Sequence, residues 1–408
     1  MAANVQSNRD RLCDLMVKSK ASDLFVVAGS PIQLKVNGVV SPVNDQRMMP
    51  DSTKQICCEM MNRTQQEEFE KTHEMNFSFS LHGKGNFRVN VFQQRGSYAL
   101  VMRYLSYEIP NFDDLGLPNH LKEIIMEKHG LILIVGATGS GKSTTIASML
   151  DLRARQKGGH ILTLEDPLEY LFPHRKSIIT QREVGLDTFT YGSALKNAMR
   201  ESPDVLFIGE IRDTETMSHA LGYAQSGHLC VSTLHANNSY HALHRILNFF
   251  PIDSRPVLRM ELAASLLAVV SQRLVKKKDN TRVAAVEVLM NSRHIASLIE
   301  DGDFGEVKEC MDKGIIKGTQ TFDQALLQLY RDDVIDLDDA MQSSDSPSSL
   351  SWLINNESKA AAMEQKTEDE VPAEEPEDEE SIFEEMSYEG LETADVVDGE
   401  DDQKGDLF

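Results

Sequence analysis

The sequence predicts an α/β protein in which a small α+β domain precedes a larger, mostly parallel sheet covered by helices. From residue 131 onward, short apolar segments alternate with helical patterns, which is typical of a parallel sheet with crossover helices. The earlier residues instead show short strands with period-two alternation. The last residues are strongly acidic and poor in aliphatic clusters, which predicts a disordered C-terminal tail.

The α+β domain is assigned to residues 1–105. Its predicted helices span residues 9–18 and 52–71, and its predicted strands span residues 24–27, 32–36, 39–43, 87–92 and 98–104. The Asn37-Gly38 pair is a hairpin-turn signal between the second and third strands. Residues 106–118 contain Pro110, Gly116 and Pro118 and are interpreted as a linker.

The larger domain is assigned to residues 119–350. Its predicted strands are residues 131–135, 160–164, 205–208 and 229–234, and the helices between them are residues 143–155, 190–201 and 214–225. Residues 256–345 show mainly helical patterns, with a hairpin-like segment at residues 282–289. We therefore expect a helical C-terminal part in this domain, followed by the tail at residues 351–408.

A complete phosphate-binding loop follows the first strand of the larger domain. Residues 136–143 match the pattern G-x-x-x-x-G-K-[ST], between an apolar strand and a predicted helix. Glycines allow successive backbone N–H groups to point at phosphate oxygens, and the helix N-terminus favours an anion. The lysine adds positive charge near the β- and γ-phosphates, and the serine hydroxyl is a Mg²⁺ ligand. The predicted nucleotide-binding residues are Gly136, Ala137, Thr138, Gly139, Ser140, Gly141, Lys142, Ser143 and Thr144, with Ser143 as the metal ligand.

Composition limits the partners that we expect. The 408-residue chain has a formal net charge of −23, but residues 357–408 carry 21 Asp and Glu against three Lys, so −18 of it lies in the tail. Residues 382–391 keep apolar side chains within this acidic run, which indicates either a docking segment or part of a solubilising tail. We find no basic stripe with interleaved aromatics, so nucleic acid is not an expected ligand.

Cysteine usage and hydropathy predict a cytoplasmic protein without direct membrane insertion. The five cysteines form no C-x-x-C pair and no metal-ligand spacing, and nothing suggests disulfides. The longest apolar run, near residues 263–270, is far too short to cross a bilayer. Any membrane role is therefore expected to run through partner proteins.

Three polar clusters fall where strands of the predicted sheet end. Glu165 follows one strand, Glu210 follows the next, and His235 closes the third. Side chains at the carboxyl ends of parallel strands lie in the crevice where such sheets bind ligands. The alternatives are an exposed turn at Asp166-Pro167, a structural ion pair between Glu210 and Arg212, and a histidine buried in the core. The segment that ends at Glu210 resembles the Walker B strand of nucleotide-hydrolysing proteins, with one departure. Gly209 occupies the place where an aspartate usually holds the water shell of Mg²⁺, which leaves Glu210 to polarise the attacking water.

These motifs, in this order and spacing, resemble those of the type II/IV secretion and pilus motor ATPases. The resemblance covers about residues 10–350 and comprises the phosphate loop, residues 164–169, residues 209–213 and residues 227–235. Within the family, the chain resembles the type IV pilus retraction branch. Residues 181–188, 234–238 and 248–251 resemble its PilU members more than its PilT members.

The resemblance implies a homo-hexameric ring whose subunits have a PAS-like N-terminal domain and a RecA-like core, with ATP bound between them. It assigns phosphate and Mg²⁺ binding to Lys142 and Ser143, catalysis to Glu210, and supporting roles to Glu165 and His235. Arg88 and Arg103 match arginines that reach the nucleotide from the N-terminal domain, and a bidentate cation there links phosphate charge to domain motion. From the residues alone, both arginines are equally well read as solvated strand residues.

The expected function is that of an ATP-hydrolysing motor that powers type IV pilus retraction, and so twitching motility. The chain lacks the four-cysteine zinc site of assembly motors, and Glu300 and Asp301 replace the basic character of a retraction-linked motif. We therefore expect an accessory to a PilT-like co-motor, peripheral at the inner membrane through a pilus platform protein. The alternatives are a nucleotide-bound adaptor with weak turnover, an assembly or secretion motor of the same family, and a DNA translocase, which the acidic balance disfavours.

Overall fold

The computed structural model describes residues 7–36, 38–81, 84–105, 108–314 and 316–355. The described residues up to Ile354 form one compact unit that contains two sheets. Asn37 of the predicted hairpin turn, the tail beyond residue 355 and its apolar segment at residues 382–391 lie outside the described residues. The division of the chain at a linker over residues 106–118 stays a prediction.

The N-terminal part is a six-stranded antiparallel sheet with helices packed against it. Its elements are α1 (Asn8–Lys18), β1 (Asp23–Val26), β2 (Gln33–Val36), β3 (Val39–Pro42), α2 (Pro50–Met60), α3 (Arg63–Thr72), β4 (Glu74–Leu81), β5 (Gly85–Gln94) and β6 (Ser97–Leu105). The strand order is β3-β2-β1-β6-β5-β4. This arrangement agrees with the predicted α+β character.

The structure corrects two details of this part. The helical stretch predicted over residues 52–71 consists of two helices, because Met61 has an extended backbone and Asn62 begins a new helix with a capping box to Gln65. Strand β4 was not predicted, although Met75 and Phe77 alternate with polar residues and are buried. It pairs along its full length with β5.

Alternation in β5 and β6 places two arginines on the polar face of the first sheet. Phe87, Val89 and Val91 are fully buried. Arg88 points to the other face and lies directly opposite Arg103 in the register of β5 and β6. The side chains of this pair are therefore neighbours across the ladder.

The second sheet has seven strands and carries most of the helices. Its elements are α4 (His120–Ile124), β7 (Gly130–Val135), α5 (Lys142–Gln156), β8 (Gly159–Glu165), β9 (Ser177–Glu183), α6 (Tyr191–Ala198), β10 (Val205–Ile208), α7 (Thr214–Gln225), β11 (Leu229–Leu234), α8 (Ser239–Asn248), α9 (Arg255–Ser265), β12 (Leu266–Lys276), β13 (Arg282–Met290), α10 (Arg293–Asp301), α11 (Phe304–Asp312), α12 (Phe322–Arg331) and α13 (Leu337–Ser343). Short 3-10 helices span Phe112–Leu115, Met199–Glu201 and Ile252–Ser254.

The strand order of this sheet is β13-β12-β7-β11-β10-β8-β9, and only the β12–β13 pair is antiparallel. The predicted parallel α/β core is therefore present. The mainly helical prediction for residues 256–345 is wrong over β12, an eleven-residue strand paired with β7 and β13. Strand β9 was also not predicted.

Helices cover both faces of the second sheet. Leu131, Leu133 and Val135 of β7 pack into one apolar cluster, while Ile132 and Ile134 pack into the other. A strand buried on both faces is a continuous apolar run, as β7 is in the sequence. Among the described residues, none of the helices combines the length and apolar composition needed to span a bilayer.

Candidate active site

The predicted site residues of the second sheet meet in one cleft of about 540 Å³ at the carboxyl ends of its strands. The predicted residues that line it are Thr138, Gly139, Gly141, Lys142, Ser143, Thr144, Glu165, Glu210 and His235. Parallel strands place their carboxyl ends at one edge, so strand-end side chains that are distant in sequence converge. Gly136, Ala137 and Ser140 complete the loop behind this lining.

The shape of the loop requires glycine at its two ends. Gly136 has φ of 151°, and a Cβ there would lie 2.6 Å from the carbonyl oxygen of Gln272. Gly141 has φ of 92°, and a Cβ there would lie 2.6 Å from Nε2 of Gln272. Both positions combine a positive φ with close neighbours, so larger residues would deform the loop.

Lys142 and Ser140 give the loop unmet capacity to bind an anion. The Lys142 ammonium is buried and donates to the carbonyl oxygens of Gly136 and Ala137, both at 2.9 Å. Burial lowers the pKa of Lys142, while Glu210 and Glu169 act in the opposite direction. The buried Ser140 hydroxyl has no hydrogen-bond partner among the described residues. Phosphate oxygens would satisfy these donors, so the loop fits a nucleotide phosphate.

The cleft also fits a Mg²⁺ ion that is held mainly by phosphates and water. Within the described ranges, no three His, Cys, Asp or Glu side chains come together as a metal site. Mg²⁺ typically keeps several waters and takes few protein ligands beside substrate phosphates. Ser143 lines the cleft at the start of α5 and would hold the ion through its hydroxyl. The ion would neutralise phosphate charge there.

Both carboxylate oxygens of Glu210 have side-chain partners. Oε1 lies 3.2 Å from Nε2 of His235, and Oε2 accepts a hydrogen bond of 2.7 Å from Nε of Arg212. Arg212 also lies 3.6 Å from Asp166, and its hydrogen bond to Glu210 raises the pKa of the guanidinium. The ion pair with Arg212, an alternative from the sequence, is thus present. His235 has a side chain 37% exposed, so the buried-core alternative is wrong for it.

Glu165 is buried beside this cluster and can exchange a proton near neutral pH. Its Oε1 accepts from the Thr163 hydroxyl at 2.7 Å, and its Oε2 accepts from the backbone N–H of Glu169 at 3.4 Å. Burial raises the pKa of Glu165 to about 7, against the lowering effect of the Thr163 hydrogen bond. The exposed-turn alternative is therefore wrong for Glu165 itself.

A side chain at Gly209 would be crowded by three neighbouring atoms. A Cβ there would lie 3.0 Å from the Tyr191 hydroxyl oxygen, 3.2 Å from the Glu165 Cα and 3.3 Å from the Leu164 carbonyl oxygen. The backbone N–H of Gly209 donates to that same carbonyl at 2.7 Å. The close approach of β8 and β10 at this point explains why glycine replaces the usual aspartate.

Arg88 and Arg103 lie outside the lining of this cleft. They line a separate surface pocket on the first sheet, together with Asp23, Asn76 and Asn90. Nε of Arg103 pairs with Oδ1 of Asp23 at 2.8 Å. Arg88 acts electrostatically on Glu183, at the end of β9. The structure thus brings Glu165, Glu210 and His235 together with the loop, and leaves the two arginines apart from them.

Two residues that support the site were not identified from the sequence. Tyr170 forms a hydrogen bond of 2.9 Å between its hydroxyl and that of Thr144. Gln272 accepts a hydrogen bond of 2.7 Å from the Thr145 hydroxyl. The strand assignment of β12 would have placed Gln272 beside the loop, but its apolar run was interpreted as helical. No sequence signal distinguishes Tyr170.

Comparisons with known proteins identify the family of this chain. The family model described as "Type II/IV secretion system protein" matches residues 3–341. The chain is 45% identical over 346 residues to the type IV pilus ATPase PilU of Pseudomonas aeruginosa, covering 85% of this chain and 91% of the relative. It is 36% identical over 330 residues to the retraction ATPase PilT of the same organism, covering 81% of this chain and 96% of the relative.

A solved structure shows the same fold. The crystal structure of the pilus retraction motor PilT with bound ADP matches with a TM-score of 0.78 and 41% identity, covering 83% of this chain and 97% of that one. The match agrees with the parallel core found here. The chain therefore belongs to the type II/IV secretion ATPase family, in its PilT/PilU group of type IV pilus motor ATPases.

Proposed function

We propose that this ATPase cleaves ATP in the cleft at the phosphate loop, works as a homo-hexamer, and powers pilus retraction as an accessory to a PilT-like co-motor. The observation that carries the proposal is the convergence of Lys142, Glu210 and Glu165 in one cleft. The similarity to PilU and PilT supports the pilus role. The ADP in the similar PilT structure supports adenine nucleotide as the ligand.

The proposed reaction is the attack of water on the γ-phosphorus of ATP. The bond from that phosphorus to the bridging oxygen breaks, and ADP and inorganic phosphate leave. Glu210 accepts the proton of the attacking water, while Lys142 stabilises the charge on the phosphates. Arg212 and His235 each contact one oxygen of Glu210, and each of these oxygens keeps a second lone pair that can accept the proton. Mg²⁺ at Ser143 supplies charge neutralisation when bound.

Arg88 and Arg103 are proposed to act at the nucleotide only after a rearrangement. Neither lines the phosphate-loop cleft in this chain, so they must reach a nucleotide by closure of the N-terminal part or from a neighbouring subunit. Either route makes phosphate contact dependent on rigid-body motion, as a mechanical motor requires. Phosphate would then replace Asp23 as the partner of Arg103.

The same role sets the expected location and partners. We propose a cytoplasmic protein, peripheral at the inner membrane through the pilus platform protein, with no nucleic-acid ligand. The similar PilT is named as a retraction ATPase, and we propose the same function for this chain. Low affinity for duplex DNA at reduced salt is the outcome expected if DNA translocation is not its task.

The experiment is to measure ATPase activity and size in solution of the purified chain, with and without a PilT-like co-motor. We expect a hexamer in the presence of nucleotide, with turnover that Glu210→Gln abolishes. In cells, this chain should support pilus retraction only when the co-motor is also present. Retraction that proceeds unchanged with Glu210→Gln in place of the natural chain would contradict the motor proposal.

A second candidate is an adaptor that binds nucleotide and turns it over weakly. It is favoured by the contacts of Arg212 and His235 with the two oxygens of Glu210, whose side chain is only 16% exposed. The discriminating variants are Glu210→Ala and deletion of residues 357–408. If cells retain function with the first and lose it with the second, the adaptor is the better account.

A further inference from the structure

Three consecutive residues of β12 contact three different parts of the molecule at the nucleotide site. Strand β12 runs parallel to β7, with Ser271 in register with Val135. Gln272 therefore comes level with Gly136, where β7 passes into the phosphate loop. The strand continues for four residues beyond this point, to Lys276.

Gln272 touches the phosphate loop at both ends. Its side chain is 3% exposed, and its Oε1 accepts from the Thr145 hydroxyl in the first turn of α5 at 2.7 Å. Its carbonyl oxygen would lie 2.6 Å from a Cβ at Gly136, and its Nε2 would lie 2.6 Å from a Cβ at Gly141. A buried amide between the start of the loop, its end and the following helix restricts the conformations that the loop can adopt.

Arg273 holds the segment at residues 343–345. Its Nη1 donates to the carbonyl oxygen of Ser343 at 2.7 Å, and its Nη2 forms an ion pair with Asp345. Its guanidinium carbon lies 3.9 Å from the centre of the Phe322 ring. Alternation along the strand puts Arg273 on the face opposite to Gln272.

Ser271 reaches the N-terminus of α8, which follows His235 in the chain. Its hydroxyl donates to Oε1 of Glu287 at 3.1 Å. The same oxygen accepts from the backbone N–H and the hydroxyl of Ser239, at 2.7 and 2.6 Å. Because these groups are buried, the network fixes β12 relative to the N-terminus of α8.

We propose that Gln272 is a positioning residue for the phosphate loop and that Arg273 couples this loop to the segment at residues 343–345. The inference rests on the proposed function, because it assumes that nucleotide phosphates bind at the loop. Gln272 and Arg273 are adjacent residues of one strand. A displacement of β12 that changes the contact of Gln272 with the phosphate loop therefore also changes the contact of Arg273 with residues 343–345, and the reverse. Coupling of this kind is reciprocal, so changes at residue 345 alter nucleotide affinity.

The first test removes the bond between Gln272 and Thr145. ADP binding in Mg²⁺ buffer is measured by calorimetry for Gln272→Leu, Thr145→Val and the double variant, together with melting temperatures without nucleotide. Each single change is expected to lower ADP affinity about tenfold. The double variant should lose no more ADP affinity than the worse single variant, because the same bond is lost in all three. In ATPase assays, KM for ATP should rise more than kcat falls.

The matched control is Gln320→Leu. This half-buried amide donates to the carbonyl oxygen of Val286 at 2.6 Å, away from the loop. The change should lower the melting temperature and leave ADP affinity unchanged. If Gln272→Leu behaves in the same way, its role is only structural and the positioning inference is overturned.

The second test loosens Arg273 from the other side. Asp345→Asn weakens the ion pair with Arg273 and leaves the residues of the phosphate loop unchanged. We expect this variant to lower ADP affinity about threefold, and the effect to be less than additive with that of Gln272→Leu. Asp333→Asn is the control, since Asp333 pairs with Lys278 at the surface and should leave ADP affinity unchanged. Unchanged ADP affinity in Asp345→Asn, or full additivity with Gln272→Leu, would overturn the coupling.

The unaltered chain and Lys142→Ala separate the two levels of inference. If the unaltered chain binds no ADP, the proposed function fails. If it binds ADP, Lys142→Ala does not, and Gln272→Leu binds as the unaltered chain does, the proposed function stands and the role of Gln272 fails.

Discussion

The charged side chains of the cleft are arranged in pairs, and these pairs determine what each residue can do. Glu210 is shared between Arg212 and His235, whereas Lys142 has only backbone carbonyls as hydrogen-bond partners. An ammonium that is buried without a carboxylate partner is stabilised by an incoming anion. Lys142 can therefore bind an anion without losing a carboxylate partner, whereas Glu210 is held by two neighbouring side chains.

At this scale we predict that Lys142→Ala abolishes nucleotide binding and lowers ATP turnover by roughly 100-fold or more. The reason is the loss of the only buried ammonium that the loop presents to the phosphates, among the described residues. Calorimetry with ADP and a phosphate-release assay measure the two effects. Lys157→Ala, just past the other end of α5, is the control and should retain both. Normal ADP binding by Lys142→Ala would refute the assignment.

Glu165 yields a prediction about pH. Burial raises its pKa from 4.5 to about 7, so the neutral form is favoured in the folded protein. The resulting stabilisation is complete below pH 4.5 and is lost as the pH rises through 7, where a buried carboxylate must be accommodated. We expect Glu165→Gln to match the unaltered chain in stability at pH 4.5 and to exceed it at pH 8 by about 2 to 3 kcal/mol.

Urea denaturation at the two pH values tests this expectation. Glu70→Gln, on the exposed surface of α3, is the control and should show no such pH-dependent gain. The same Glu165→Gln protein should lose ATPase activity if the carboxylate takes part in the reaction. An equal effect on stability at both pH values would show that Glu165 does not titrate in this window.

At the scale of elements, the site depends on how closely β8 and β10 approach each other. Gly209 has the backbone of Leu164 and Glu165 and the Tyr191 hydroxyl within 3.0 to 3.3 Å of any added Cβ. We predict that Gly209→Ala destabilises the fold by about 1 to 3 kcal/mol and displaces Glu165. Thermal unfolding and ATPase assays measure these effects. Tyr191→Phe should partly rescue the variant, because it removes the nearest atom.

Gly222→Ala provides the contrast for Gly209. A Cβ at Gly222, in the middle of α7, would have no atom within 4 Å. Alanine there should stabilise the helix by about 0.5 to 1 kcal/mol. If both glycine variants shifted stability in the same direction, crowding would not explain Gly209.

The sequence predicted those elements whose patterns have one interpretation. The strand β7 and the loop after it were predicted because an apolar run, a glycine motif and a helix start coincide. Strand β12 was missed because Ala263, Ala264 and the apolar residues after them suit a buried helix as well as a buried strand. Its true state depends on pairing with β7 and β13, which are distant in sequence. Gln272 was missed with it, since its role exists only when β12 lies beside the loop.

At the scale of the whole molecule, the strand-end residues converged as the fold class predicts, whereas side-chain contacts between residues distant in sequence were not predicted. Parallel topology brings Glu165, Glu210 and His235 to one edge whatever their exact rotamers. The pairing of Arg103 with Asp23 depends instead on the antiparallel register of β1 and β6, which short strands leave weakly specified. The arginines thus occupy a surface pocket that sequence spacing alone does not reveal.

This placement leads to a prediction about the ring. Because Arg88 and Arg103 lie outside the lining of the phosphate-loop cleft of their own chain, their replacement by alanine should leave ADP affinity of dilute monomer unchanged. In the hexamer that we propose, the same changes should reduce ATP turnover at least tenfold, as loss of a phosphate-binding arginine does. Arg63→Ala, on the exposed side of α3, should alter neither property. Calorimetry below the assembly concentration, and turnover measured as a function of protein concentration, separate the two states. Equal loss of ADP affinity in the monomer would mean that the arginines reach the nucleotide within one chain. Unchanged turnover in the ring would leave them as solvated residues of the first sheet.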